Sequence, residues 1–109
     1  MNVVRIAVIA AAASLMGCAA ASATSYNCNG KLTHTEATIC DNPKLSNLDE
    51  VMASQYYQIR GSLPSAAARR QFDADQRSWL QYRNSCGANV RCISQAYQSR
   101  LQYFAGYGD

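Results

Sequence analysis

Residues 76–101 read QRSWLQYRNSCGANVRCISQAYQSRL, and two helical stripes meet in them. Gln76, Trp79, Arg83 and Cys86 recur at spacings of 3 and 4, the repeat of one helix face. Ile93, Ala96, Tyr97, Arg100 and Leu101 form a second stripe of the same kind. Between them Gly87-Ala88-Asn89 supplies the turn, flanked by Cys86 and Cys92. Ala68 and Phe72 carry the first stripe back toward a start near Ser62–Ser65. Phe104 carries the second forward to Gly106 and Gly108, where the chain is expected to end loosely.

Upstream, Leu45, Leu48, Met52, Tyr56 and Ile59 make another stripe, opened by Asn42-Pro43, an N-cap followed by proline at the first helical position. Gly61 and Pro64 close it. Thr33-His34-Thr35-Glu36 matches a capping box and predicts a short helix to about Cys40. Thr24–Lys31 reads as an extended, turn-rich arm. No stretch alternates with period 2 and no segment repeats. The expected fold is all-α: a small, disulfide-stapled helical hairpin or bundle of three to four helices.

At 109 residues, with 49% hydrophobic and 16% charged residues, the chain has room for one domain. Much of its apolar content lies at the N-terminus. Arg5 precedes Ile6–Met16, an uncharged apolar run of eleven residues, which fits a secretory h-region and is too short to span a membrane. Ala21-Ser22-Ala23 offers an A-x-A cleavage site, so residues 1–23 are expected to be a signal peptide and 24–109 the mature domain. Leu15-Met16-Gly17-Cys18 offers a lipobox alternative ending at Cys18, which would then carry lipid. Without Arg5 nine Lys and Arg remain against seven Asp and Glu, a net charge of +2.

Cys28, Cys40, Cys86 and Cys92 are an even set in a short exported chain, a pattern that implies disulfides. Three pairings are open, and the layout fits local pairing best: Cys28 with Cys40, Cys86 with Cys92. Two bridges suit a chain of this size, which buries only about 60–65% of its unfolded surface.

Charged residues fall on the core stripes. Arg83 lies between Trp79 and Cys86, Arg100 between Tyr97 and Phe104, and Asp49 between Leu45 and Met52. Buried charges persist when paired and hydrogen-bonded. The expectation is a structural network of Asp49 with Arg83, with Arg100 nearby and tyrosine hydroxyls and Gln76 completing it. Leu48, Met52, Tyr56, Trp79, Tyr97 and Leu101 are the expected core.

Several classes are disfavoured. His34 is the single histidine, set in a helix cap, and no nucleophilic set or metal-ligand spacing accompanies it. Asp49-Glu50 and Asp73-x-Asp75 are neighbours that do not face one another on a helix. No catalytic, cofactor-binding or metal residues are expected. Arg69-Arg70 and Arg77 form only a modest basic patch, so no nucleic-acid partner is expected either. Membrane contact would come only from a lipid on Cys18.

The spaced motifs Cys28…Thr35-Glu36-x-x-Ile39-Cys40, Leu45-x-x-Leu48-Asp49-x-x-Met52-x-x-x-Tyr56, Gln76-x-x-Trp79-x-x-x-Arg83-x-x-Cys86 and Cys92-Ile93-x-x-x-Tyr97-x-x-Arg100-Leu101 together resemble the lysozyme inhibitor LprI-like family. The resemblance implies a helical domain of the bacterial envelope, periplasmic or anchored to the outer membrane, that binds a lysozyme-like muramidase. The alternative is a non-inhibitory interaction or structural module. Three elements are candidates to enter an enzyme cleft: the Gly61–Ser65 loop, the Gly87–Val90 turn and the tail Tyr103–Asp109. A net charge of +2 forgoes electrostatic steering toward cationic animal-type lysozymes.

Overall fold

The structure, a computed structural model, describes residues 24–108. The expected signal peptide (1–23), its cleavage sites and Cys18 lie outside the described residues. Four α-helices follow one another: α1 (His34–Asp41), α2 (Pro43–Ser62), α3 (Ala66–Asn84) and α4 (Val90–Ala105), with a closing 3-10 turn at Gly106–Gly108. No strand occurs among the described residues, and the domain is an all-α small bundle.

Each helix start has a local cause. Thr33 and Glu36 form the capping box, each side chain accepting from the other's backbone N–H at 3.1 and 2.9 Å. Asn42 Oδ1 accepts from the N–H groups of Lys44 and Leu45, and Pro43 needs no partner at the first position. Ser65 and Asn89 cap α3 and α4 in the same way. Ser46 Oγ donates to Ile39 O at 2.6 Å, which ties the start of α2 to the end of α1. Cys86 falls beyond α3, in the turn where Gly87 adopts φ +60°, a conformation that suits glycine.

Two disulfides staple this frame, Cys28–Cys40 and Cys86–Cys92. The first ties the arm to α1, and the second closes the α3–α4 turn. Ile39, Leu45, Met52, Phe72, Trp79, Ile93, Ala96, Tyr97 and Phe104 form the buried core. Of the expected core, Leu48, Tyr56 and Leu101 lie at its edge, half-buried. Helix α4 packs against both α2 and α3, and α1 leans on both as well. Helices α2 and α3 touch chiefly through long side chains: Tyr56 stacks on Phe72 with ring centroids 5.1 Å apart. A groove is left between them.

Two expectations need correction. The Thr24–Lys31 arm is not a free extended segment. It turns back onto the bundle, where the Tyr26 hydroxyl donates to Glu36 O at 2.8 Å and the ring packs against the core. The tail is not loose, because Tyr107 meets Phe72 edge-on at 5.3 Å and Tyr103 at 5.5 Å. Both departures have one reason: an aromatic side chain next to an apolar face gains by covering it.

Candidate functional site

The Asp49 side chain is fully buried and that of Arg83 nearly so. Their closest approach is 3.6 Å, from Arg83 Nη1 to Asp49 Oδ1. Tyr97 closes the gap: its hydroxyl donates to Asp49 at 2.7 Å and accepts from Arg83 at 3.0 Å. The second carboxylate oxygen accepts the Ser25 N–H of the arm at 2.5 Å. Asn84 Oδ1 takes two N–H groups of Arg83, and Glu36 stands 3.8 Å from the same guanidinium. Burial, and then the Asp49 charge, push the Tyr97 hydroxyl far above the ordinary tyrosine pKa, so it stays protonated as donor. Such a cluster holds α2, α3, α4 and the arm in one register.

Arg100 was expected beside this pair and builds a separate cluster. It donates to Gln76 Oε1 at 2.8 and 3.1 Å and to Asp75 at 2.9 Å. Both guanidiniums lie against the Trp79 indole, Arg83 at 5.8 Å and Arg100 at 5.5 Å from the ring centroid. Arg83 lies on α3 and Arg100 on α4, and each takes the acceptors nearest its own head group.

A third ion pair was not anticipated. Arg60 forks onto Asp73 at 2.8 and 2.9 Å, and Tyr56 donates to the same carboxylate. The Arg60 and Tyr56 hydrogen bonds hold the Asp73 carboxyl down to about 2. That is below the value of about 3.9 in an unfolded chain. The pair therefore favours the folded state above about pH 4 and loses this effect as the pH falls toward 2. Urea midpoints of Asp73→Asn should decline less steeply than those of the native chain between pH 4 and 2. Parallel declines would remove Asp73 from the acid response.

None of these clusters is arranged for chemistry. Asp49 and Asp73 are each occupied by hydrogen-bond donors, and His34 is exposed. No group of His, Cys, Asp and Glu able to hold a metal occurs among the described residues. The remaining candidates are surfaces.

Among the described residues, clefts of about 440, 380 and 450 Å³ line them, so chemistry distinguishes these better than volume. The first lies between Leu63, Phe72, Asp75, Tyr103 and Tyr107, joining the Gly61–Ser65 loop to the tail. The second is the α2–α3 groove, from Ser25 past Met52 and Leu80 to Tyr57, Asp73 and Arg77. The third, between α2 and α4, includes Lys44, Leu48, Val90 and Gln98.

Of the three elements expected as candidates for cleft entry, the Gly87–Val90 turn is braced by α1 and by a disulfide. Thr35 Oγ1, buried on α1, reaches the Asn84 and Gly87 carbonyls at 3.0 and 2.7 Å and braces it beside the Cys86–Cys92 bridge. The loop keeps Gly61 and Ser62 exposed, and the tail shows Tyr103 and Tyr107. Asp109 lies outside the described residues. Tyr57 and Tyr82, exposed by 67% and 63%, are the most exposed large apolar side chains of the described domain. They were not singled out from sequence, because off the core stripe a tyrosine looks like any polar surface residue.

Comparison with known proteins returns one family, described as lysozyme inhibitor LprI, whose pattern matches residues 28–104. No curated protein and no solved structure matches the chain.

Proposed function

Because the chain belongs to the lysozyme inhibitor LprI family over residues 28–104, we propose that it is an exported envelope protein that binds and inhibits lysozyme-like muramidases. The family match is the observation that carries this reading. The geometry is compatible with it: a small domain held by two disulfides and three ion-paired clusters presents pre-shaped surfaces. Rigid surfaces lose little conformational entropy on binding. The signal-like N-terminus and paired cysteines support an oxidising compartment. Periplasmic release after Ala23 and anchorage through Cys18 are the two routes proposed.

The chain, produced by export into an oxidising compartment, should slow the clearing of peptidoglycan by a muramidase saturably, at near-stoichiometric amounts. Animal-type and bacterial enzymes belong in one panel, at low and physiological salt. With a cationic enzyme the net charge of +2 works against encounter, so added salt should leave inhibition unchanged or improve it. Absence of inhibition across the panel by a correctly bridged sample would remove the inhibitor reading.

A further inference from the structure

We propose that the solvent face of α3, with Tyr57 projecting beside it from α2, is the surface that enters the muramidase's substrate cleft. The proposal rests on the inhibitor reading and names its docking face. Muramidases are glycoside hydrolases, and their clefts hold a pair of carboxylic residues about the scissile bond. The complementary surface is a narrow ridge with exposed cations and an aromatic anchor.

On α3, Arg70, Ala74, Arg77 and Gln81 are all exposed. Their spacing of three and four puts them on one side of the helix. Arg70 and Arg77 stand two turns apart, about 10 Å along the axis. Neither enters an ion pair among the described residues, in contrast to Arg60, Arg83 and Arg100. Ala74 between them leaves the ridge low. A single helix is about 10–12 Å across with its side chains.

The groove along this ridge adds the anchor. Tyr57 is 67% exposed, and Met52, Ala53 and Leu80 line the groove beside it. Tyrosine and arginine are the side chains enriched in interface hot spots. Asp73 also faces this groove, but Arg60 already neutralises it with two hydrogen bonds. The cleft at the tail has tyrosines too, yet its one charged lining residue is Asp75, which Arg100 already neutralises, so that cleft offers an acidic pair no free cation. The cleft between α2 and α4 has Lys44 without an exposed aromatic ring.

The test compares Tyr57→Ala and Arg77→Ala with Tyr82→Ala, an equally exposed tyrosine near the other end of α3. Each is checked for native helicity and melting, then titrated against a muramidase that the native chain inhibits. Tyr57→Ala and Arg77→Ala should each raise the half-inhibitory concentration at least tenfold, with Tyr82→Ala within twofold of native. A soluble chito-oligosaccharide that fills the cleft should compete with the native chain for the enzyme. Equal potency of all folded variants, or binding undisturbed by the oligosaccharide, would overturn the docking face and leave the inhibitor reading standing. Failure of the native chain against every enzyme would overturn both.

Discussion

Asp49→Ala should destabilise the domain by about 3–5 kcal/mol, the cost of stranding one charge of a buried pair. Arg83 has no route to water: it is 1% exposed, with Tyr97, Trp79 and Tyr26 around its guanidinium. Tyr97 would lose its acceptor and the Ser25 N–H its partner. For a domain of this size each kcal/mol corresponds to about 4–8 °C in melting temperature, so the variant should melt about 12–40 °C below the native chain. Replacing the pair together, Asp49→Leu with Arg83→Met, should recover much of the loss, because an apolar pair of similar volume removes the stranded charge. Urea unfolding followed by circular dichroism measures both. A loss under 1 kcal/mol for Asp49→Ala would mean that Arg83 finds solvent in the variant, and the network would not then be what fixes helix register.

The second large effect concerns the arm. Replacing both Cys28 and Cys40 by alanine should cost about 3 kcal/mol from loop entropy, against about 2.5 kcal/mol for the shorter Cys86–Cys92 loop. The structure widens the difference. The Cys28–Cys40 bridge, with a sequence separation of 12, holds the arm whose Ser25 N–H completes Asp49 and whose Tyr26 covers Arg83. Loss of the bridge lets water reach that cluster. The Cys86–Cys92 bridge, with a separation of 6, closes a turn already held by the Asn89 cap and by Thr35. The Cys28→Ala/Cys40→Ala variant should therefore be the less stable of the two by well over the half kcal/mol that loop length predicts. Urea midpoints decide it, and equal or reversed stabilities would show that the arm is a cover without energetic consequence.

What could be read from the chain was local. The caps at Thr33 and Asn42, the apolar stripes and the burial of Asp49, Arg83 and Arg100 all follow from spacing within one helix. Burial does not name the neighbour, however. The periodicity that put Arg100 in the core said nothing about which acceptors α3 would bring to it, and these were Gln76 and Asp75. The arm was illegible for a stronger reason. Its decisive contact is a backbone N–H meeting a carboxylate 24 positions away, and every residue has such a donor. The Arg60–Asp73 pair joins two helices whose relative rotation depends on packing. The same holds for Tyr57 and Arg77, which share a groove only because long side chains keep α2 and α3 apart. Surface sites built across elements carry no periodic signature.

The order in which the cysteines pair also bears on how the protein is made. Among the described residues the pairing is consecutive, Cys28 with Cys40 and Cys86 with Cys92. A polypeptide emerging N-terminus first can complete each bridge before the next thiol appears. An oxidant that links thiols in order of arrival thus makes the native pairing directly, with no wrong bridge to be reshuffled, a process that otherwise takes seconds to hours. Consecutive pairing of this kind needs only oxidation in order of arrival, without an isomerisation step.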